Sequence, residues 1–247
     1  MEQTTKRESG QAEDQIGTMG STDETAEELS IPLLRPGPSG LPRQQVSEIQ
    51  RARILVAAVE VVEELGYSGM TVAQVIGRAK VSRKTFYDLF ADRQDCFVAV
   101  FEETIARMRA LVEEACADEK TWRESVRAGV ARLLAFLEED PALARICLVE
   151  AQGAGTKVLE RRGQVFGELA ELIDRGRAVT SAVREPPQIT AEALVGAIFV
   201  VLQARLLERS DEPFTDLLGP LMSMILMPYL GPRAAHAELS GPAGGSK

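Results

Sequence analysis

Between Thr71 and Phe90 the chain reads TVAQVIGRAKVSRKTFYDLF, a stretch that admits few folds. Thr71 and Ser82 each stand just before a short run of helix-compatible residues. A hydroxyl in that place accepts a hydrogen bond from a backbone N–H that would otherwise be orphaned, a contribution of about 1 kcal/mol. Two short helices joined by a tight turn around Lys80 are the expected result. Val72, Val75 and Ile76 give the first an apolar face, and Val81, Phe86, Leu89 and Phe90 anchor the second. Arg83, Lys84, Thr85, Tyr87 and Asp88 are left for solvent or a ligand. That is the layout of a helix-turn-helix whose second helix reads DNA. Arg and Lys side chains bind guanine O6 and N7, a Thr methyl meets a thymine methyl, and a Tyr hydroxyl donates to phosphate. Thr71 and Ser82 lie where helix ends meet the DNA backbone.

Upstream, from Val46 to Leu65, Ile54, Ala58, Val61 and Leu65 recur at helical spacing, so one stripe packs inward and Gly66 ends the helix. Arg51 and Arg53 lie near its start, within reach of a phosphate or simply solvated. Downstream, Asp92 caps a long helix from Arg93 to Ala117 with Phe97, Phe101, Met108, Leu111, Val112 and Ala115 as its apolar positions. Further helices are expected at Thr121–Glu139, from Pro141 to about Ala151, from about Thr156 to Arg177, at Thr190–Arg209 and at Pro213–Leu230, with Pro220 a candidate break. The run ALVGAIFVVL, residues 193–202, is apolar on every side, as a helix is when it is buried from two directions. REPPQ at 184–188 reads as a loop. Alternation of the kind a strand needs is absent from the sequence, so the expected fold is all-α.

Charge is distributed to match. The chain carries a formal net charge of -9, which argues against a protein that coats nucleic acid indiscriminately. Residues 1–40 hold three cations against eight acids, whereas residues 41–93 hold eight cations against six acids, so the only positive segment coincides with the reading head. The composition of residues 1–40 predicts a disordered acidic extension. The expected organisation is therefore 1–40 extension, 41–92 DNA-binding domain, 93–232 helical effector-binding and dimerisation domain, and 233–247 disordered tail.

An enzyme is poorly supplied. The single histidine, His236, falls in the expected tail, which removes His-based triads and His-rich metal sites. Cys96, Cys116 and Cys147 are too few and too scattered for a disulfide framework or a zinc site, and a reducing cytoplasm fits them. GAGTK at 153–157 lacks the spacing of a phosphate loop and follows no strand, so it reads as a helix connection. The expectation is no catalytic residue, no metal and no cofactor. An apolar leader is lacking, and Leu217–Leu230 falls short of the roughly 20 residues a membrane span needs; no membrane partner is expected.

VSRKTFYDLFADRQDCF, together with RARILVAAVEVVEELGYSGMTVAQVI before it, resembles the TetR family of transcriptional repressors over about residues 46–101. The resemblance implies an N-terminal three-helix DNA-binding domain followed by a helical ligand-binding and dimerisation domain. It implies phosphate contacts at Thr71, Tyr87 and Arg93, base contacts at Arg83, Lys84 and Thr85, and an adjacent-groove contact at Arg43. It also implies that the helix from Arg93 shifts when a small molecule binds, and that the last two helices pair with those of a second subunit. Two heads about 34–36 Å apart then meet a palindromic operator in double-stranded DNA. Ile76 stands where the family commonly has Ala, and Lys80 where it usually has Gly. A left-handed Lys80 costs on the order of 1 kcal/mol relative to Gly.

The expected function is a homodimeric repressor released by a small, largely apolar effector. Phe101, Met108, Phe136, Cys147, Phe166, Phe199 and Gln203 lie on helices that could line the effector pocket, and few charges among them favour a hydrophobic ligand. The rival expectation is a helical protein-interaction module without operator binding.

Overall fold

The computed structural model describes residues 42–180, 185–208 and 212–240. The expected extension over 1–40 and the last seven residues of the expected tail lie outside the described residues. Among the described residues every regular element is helical.

The head consists of α1 (Arg43–Gly69), α2 (Val72–Ala79) and α3 (Arg83–Leu89). Ile54, Ala58 and Val61 are buried as their spacing requires, and they meet Val75, Ala79 and Phe86 in one core. Gly66 leaves helical geometry at φ +68°, so α1 bends there before a last short turn, and Leu65 just before the bend stays 47% exposed. Arg93 opens α4 (Arg93–Cys116), capped by the Asp92 carboxylate, which accepts from the Asp95 N–H at 2.8 Å.

The body continues with α5 (Trp122–Glu139), α6 (Pro141–Arg145), a π-helical segment (Ile146–Glu150), a last turn α7 (Ala151–Gly153), α8 (Thr156–Asp174) and a 3-10 segment (Arg175–Val179). It closes with α9 (Thr190–Leu207), a 3-10 turn (Phe214–Leu217) and α10 (Leu218–Leu239). Thr121 and Glu124 form a reciprocal capping box at the start of α5. Gly155, at φ +95°, turns the chain between α7 and α8, so residues 153–157 are the helix connection that their spacing predicts.

Three expectations are corrected. The helix from Pro141 is not uniform: i→i+5 bonding over Ile146–Glu150 widens the turn and re-aims its side chains. Pro220 does not break α10, because it sits in the first turn, where its missing N–H would have no intrahelical acceptor. The break falls at Gly231, at φ +78°, between Pro228 and Pro232. Finally, the expected disordered tail from residue 233 is helical through Leu239. Glu238 is buried there between Arg123, 2.6 Å away, and Arg127. Two cations from α5 compensate the desolvation of that carboxylate and fix the end of the helix.

α9 and the stretch Phe214–Leu239 are long and apolar enough, by length and composition, to cross a membrane. Helices that pack into a protein core have the same character, yet only 17% of α9 is buried within this chain. Val200, Val201 and Leu207 on α9 and Met227 on α10 are all exposed.

Candidate nucleic-acid interface and effector cavity

In the head, both caps form as the hydroxyls predict. The Thr71 Oγ accepts from the Gln74 N–H, and the Gln74 side-chain oxygen accepts from both the Thr71 N–H (2.9 Å) and its hydroxyl (2.7 Å). The Ser82 Oγ accepts from the Thr85 N–H at 3.0 Å and lies 2.9 Å from the Thr85 hydroxyl. Phe86 and Phe90 are buried against each other, while Arg83, Lys84 and Tyr87 face outward from the same short helix. Tyr87 holds its ring edge-on to Phe86 at 5.5 Å and is 51% exposed, an unusual degree for a tyrosine that packs. Lys84 pairs with Asp88 at 2.9 Å, and both are exposed; such a pair is worth about 0.3–0.5 kcal/mol and yields readily to a stronger anion.

Lys80 adopts the left-handed conformation, at φ 52° and ψ 45°, alone among the described non-glycine residues. Arg53 explains how this is held. Its guanidinium donates to the carbonyls of Ala79 and Lys80, satisfying acceptors at the C-terminus of α2 with a cation that also suits the helix dipole. Arg78 is likewise committed, to Glu64 at 2.6 Å and Glu60 at 3.6 Å, and it holds the Glu64 carboxyl below the usual carboxylate range.

The other sequence-predicted contacts divide. Arg43 is exposed at the start of α1, and Arg51 lies half-buried with its guanidinium 5.9 Å from the Phe90 ring. Arg93 has an internal job that its spacing did not suggest. It donates to the Met70 carbonyl at 2.8 Å and stacks over the Tyr67 ring at 4.9 Å, tying the start of α4 to the α1–α2 link. Tyr67 in turn packs edge-on against Phe97 of α4.

The body holds a partly open cavity of about 540 Å3, walled by α4, α5, the π-helical segment, α8, α9 and α10. Of the residues named for an effector pocket, Phe101, Met108, Cys147, Phe166 and Phe199 line it. Phe136 and Gln203 do not. Phe136 is buried with the Arg107 guanidinium over its ring, and Gln203 donates to the Leu148 carbonyl at 2.8 Å, bracing the π-helical segment. That extra acceptor is available because a π-helix displaces its carbonyls from the regular ladder. Burial pushes the Cys147 thiol up to about 12, with Asp140 adding to the shift, so it stays protonated and behaves as a small apolar wall. No cluster of metal-ligating side chains occurs among the described residues.

Sequence reasoning missed Trp122 and Arg162 in the lining. Trp122 packs edge-on against Tyr229 and against Gly176, where an added Cβ would stand 2.5 Å from the indole. Arg162 carried a signal. It falls four residues after Val158 and four before Phe166, on the apolar stripe of α8, where a cation is out of pattern.

A capped helix-turn-helix standing on a helical body with an internal apolar cavity defines a class, the DNA-binding regulator with its own sensor. Residues 54–100 match the family described as "Bacterial regulatory proteins, tetR family". Over that stretch the chain is similar to the TetR family of transcriptional regulators. It is 23% identical over 122 residues to the fatty acid metabolism regulator protein of Bacillus subtilis, covering 49% of this chain and 63% of that one. It is 28% identical over 100 residues to the transcriptional activator FasR of Mycolicibacterium smegmatis, covering 40% and 44%. The matched region therefore spans less than two thirds of either relative. In structure it is similar to the regulator FadR from Bacillus subtilis in complex with stearoyl-CoA, with a TM-score of 0.64, 18% identity and coverage of 71% of this chain and 97% of that one. At that identity the likeness is one of fold.

Proposed function

We propose that this regulator acts in the cytoplasm as a homodimer on a palindromic operator, and that it is a repressor released when an apolar molecule of the fatty-acyl class fills the cavity. The head, residues 41–92, reads, and the body from residue 93 senses and dimerises. The observation that carries this reading is how the cavity is connected. α4 lines the cavity from Phe101 to Cys116, and its first residue, Arg93, is bonded to Met70 and stacked on Tyr67. A second path runs through the π-helical segment. Cys147 and Leu148 face the cavity, and the Glu150 carboxylate accepts from the Tyr67 N–H at 2.8 Å. Whatever fills the cavity presses on two elements that both end at Tyr67, directly before the reading helices.

The lining supports an apolar ligand, and one relative, the fatty acid metabolism regulator FadR of Bacillus subtilis, whose solved structure holds stearoyl-CoA, supports the acyl class. Pairing of α9 and α10 with the same helices of a second copy would cover Val200, Val201, Leu207 and Met227. Arg83, Lys84 and Thr85 are assigned to base edges, and Thr71, Ser82 and Tyr87 to phosphates, with Arg43 and Arg51 at the flank. Arg93 supports the head from within.

The test is binding to duplex DNA from upstream of the protein's own gene. Base contacts of this kind are each worth about 1–3 kcal/mol. Arg83→Ala and Lys84→Ala should each weaken binding about tenfold or more; unchanged affinity in both variants contradicts the assignment. Expression from the bound promoter, with and without the protein, reads the sense of regulation.

A further inference from the structure

Among the described residues, Arg162 lines the cavity with a buried donor left unmatched. Its buried Nη1 has no hydrogen-bond acceptor among the described residues. The guanidinium lies over two aromatic rings, 5.6 Å from the centroid of Phe166 and 5.3 Å from that of Phe199, and those rings touch each other at 5.1 Å. All three side chains line the cavity. The neighbouring Arg161 shows the contrast. It is served by two carboxylates, Glu102 at 3.8 Å and Glu168 at 3.7 Å, and Glu168 is shared with Arg109. The acids along this side of α8 are thus engaged on the outer face, and the inward cation is matched by aromatic faces alone.

Ring faces attract a cation but accept no ordinary hydrogen bond from its edge. A guanidinium carries five donors in a planar fork that fits a carboxylate with two parallel bonds. A buried charge without such a partner is unfavourable, and it becomes favourable when an anion of the right shape arrives. The remainder of the cavity wall is almost wholly apolar, with Val165, Leu169 and Ile173 continuing along α8 from Arg162. From Arg162 to Arg175, which also lines the cavity, the chain rises roughly 20 Å at helical pitch, the dimension of an extended ligand.

We infer that Arg162 is the head-group residue of the cavity, and that the ligand it selects is an apolar chain ending in a free carboxylate, held by the guanidinium fork between Phe166 and Phe199. This rests on the fatty-acyl reading of the cavity and sharpens it. A thioester offers only a neutral carbonyl in that place, so the free acid is preferred over the coenzyme A ester. The carboxylate lies against Arg162 and the chain extends along α8.

Calorimetric titration of the full chain with tetradecanoate, tetradecanol and tetradecanoyl-CoA tests this, using the wild type, Arg162→Met and Arg162→Lys. The wild type should bind tetradecanoate at least tenfold more tightly than tetradecanol and more tightly than the coenzyme A ester. Arg162→Met, of similar length and without charge, should keep its tetradecanol affinity and lose the preference for the acid, and Arg162→Lys should retain part of it. An equal preference in the wild type and Arg162→Met overturns the inference while leaving the apolar cavity intact. So does tighter binding of the coenzyme A ester that is unaffected by the substitution. Should Arg162→Met fail to fold, the wild-type ratio of acid to alcohol decides: a ratio near one overturns the inference. If none of the three probes binds, the acyl reading of the cavity falls, and this inference with it.

Discussion

Lys80 shows how a single residue records a compromise. Its left-handed backbone is what the turn between α2 and α3 requires, and a side chain there carries strain that glycine would not. Arg53 offsets part of this by donating to the carbonyls on either side of the peptide that makes the turn. Lys80→Gly should therefore stabilise the chain by up to about 1 kcal/mol, seen as a higher midpoint in chemical denaturation; a loss of stability would mean that the Lys80 side chain makes a contact of greater worth. The strain was legible in the sequence, since Lys occupies a place where a left-handed residue is expected. Its remedy was not. Nothing in the spacing of Arg53 distinguishes a guanidinium turned back onto a helix end from one turned toward a phosphate, and the same holds for Arg93 over Tyr67. Arginine is long enough that a sequence fixes where its stem begins but not where its head comes to rest.

Elements were legible where their signals are local. The caps Thr71, Ser82 and Asp92 all form because each needs only a backbone N–H three residues away. What escaped were features set by packing between distant elements: the π-helical segment braced by Gln203, and the last turns of α10 held by Glu238 on two arginines of α5. The same reason applies to the cavity, where five of the seven expected residues line the wall and two do not. Which face of a helix turns inward can be read from periodicity; whether that face meets a void or another side chain cannot. A second junction joins α5, α8 and α10. The Tyr229 ring packs against Trp122, and its hydroxyl donates to Asp174 at 3.1 Å, which Arg177 also holds at 2.7 Å. Burial first, and then the bond to Asp174, push the Tyr229 hydroxyl up to about 12. A tyrosine titrates near 10 in the unfolded chain, so the folded state binds this proton more tightly. The resulting stability is fully present below about pH 10 and is lost as pH rises through about 12. Thermal melts from pH 9 to 12 should show this decline in the wild type and a shallower one in Tyr229→Phe; equal slopes would mean that the hydroxyl contributes nothing at this junction.

For the molecule as a whole, the unresolved balance is at its apolar surface. Val200 is 60% exposed and Leu207 55%, on a helix that is apolar on nearly every side. A second copy covering α9 and α10 would bury them and would fix the distance between two reading heads. Val200→Glu should then convert a dimer into a monomer in sedimentation and weaken binding to a palindromic site by at least tenfold, with helical content retained. A wild type that already sediments as a monomer would rule the dimer out. The same geometry states what ligand binding must accomplish. Two elements, α4 and the π-helical segment, pass from the cavity wall to Tyr67, so in the proposed dimer occupancy would act on the position of each head, and an operator with fixed half-site spacing would be sensitive to both.

Coupling between two sites is a difference in free energy, typically 1–3 kcal/mol, and it is reciprocal. The most direct measurement is the affinity of the full chain for its own upstream DNA, by fluorescence anisotropy, with and without a saturating long-chain acyl ligand. The ligand should weaken DNA binding by about tenfold or more, and DNA should weaken ligand binding by the same factor. Equal affinity for the DNA with the cavity full and empty would contradict this coupling.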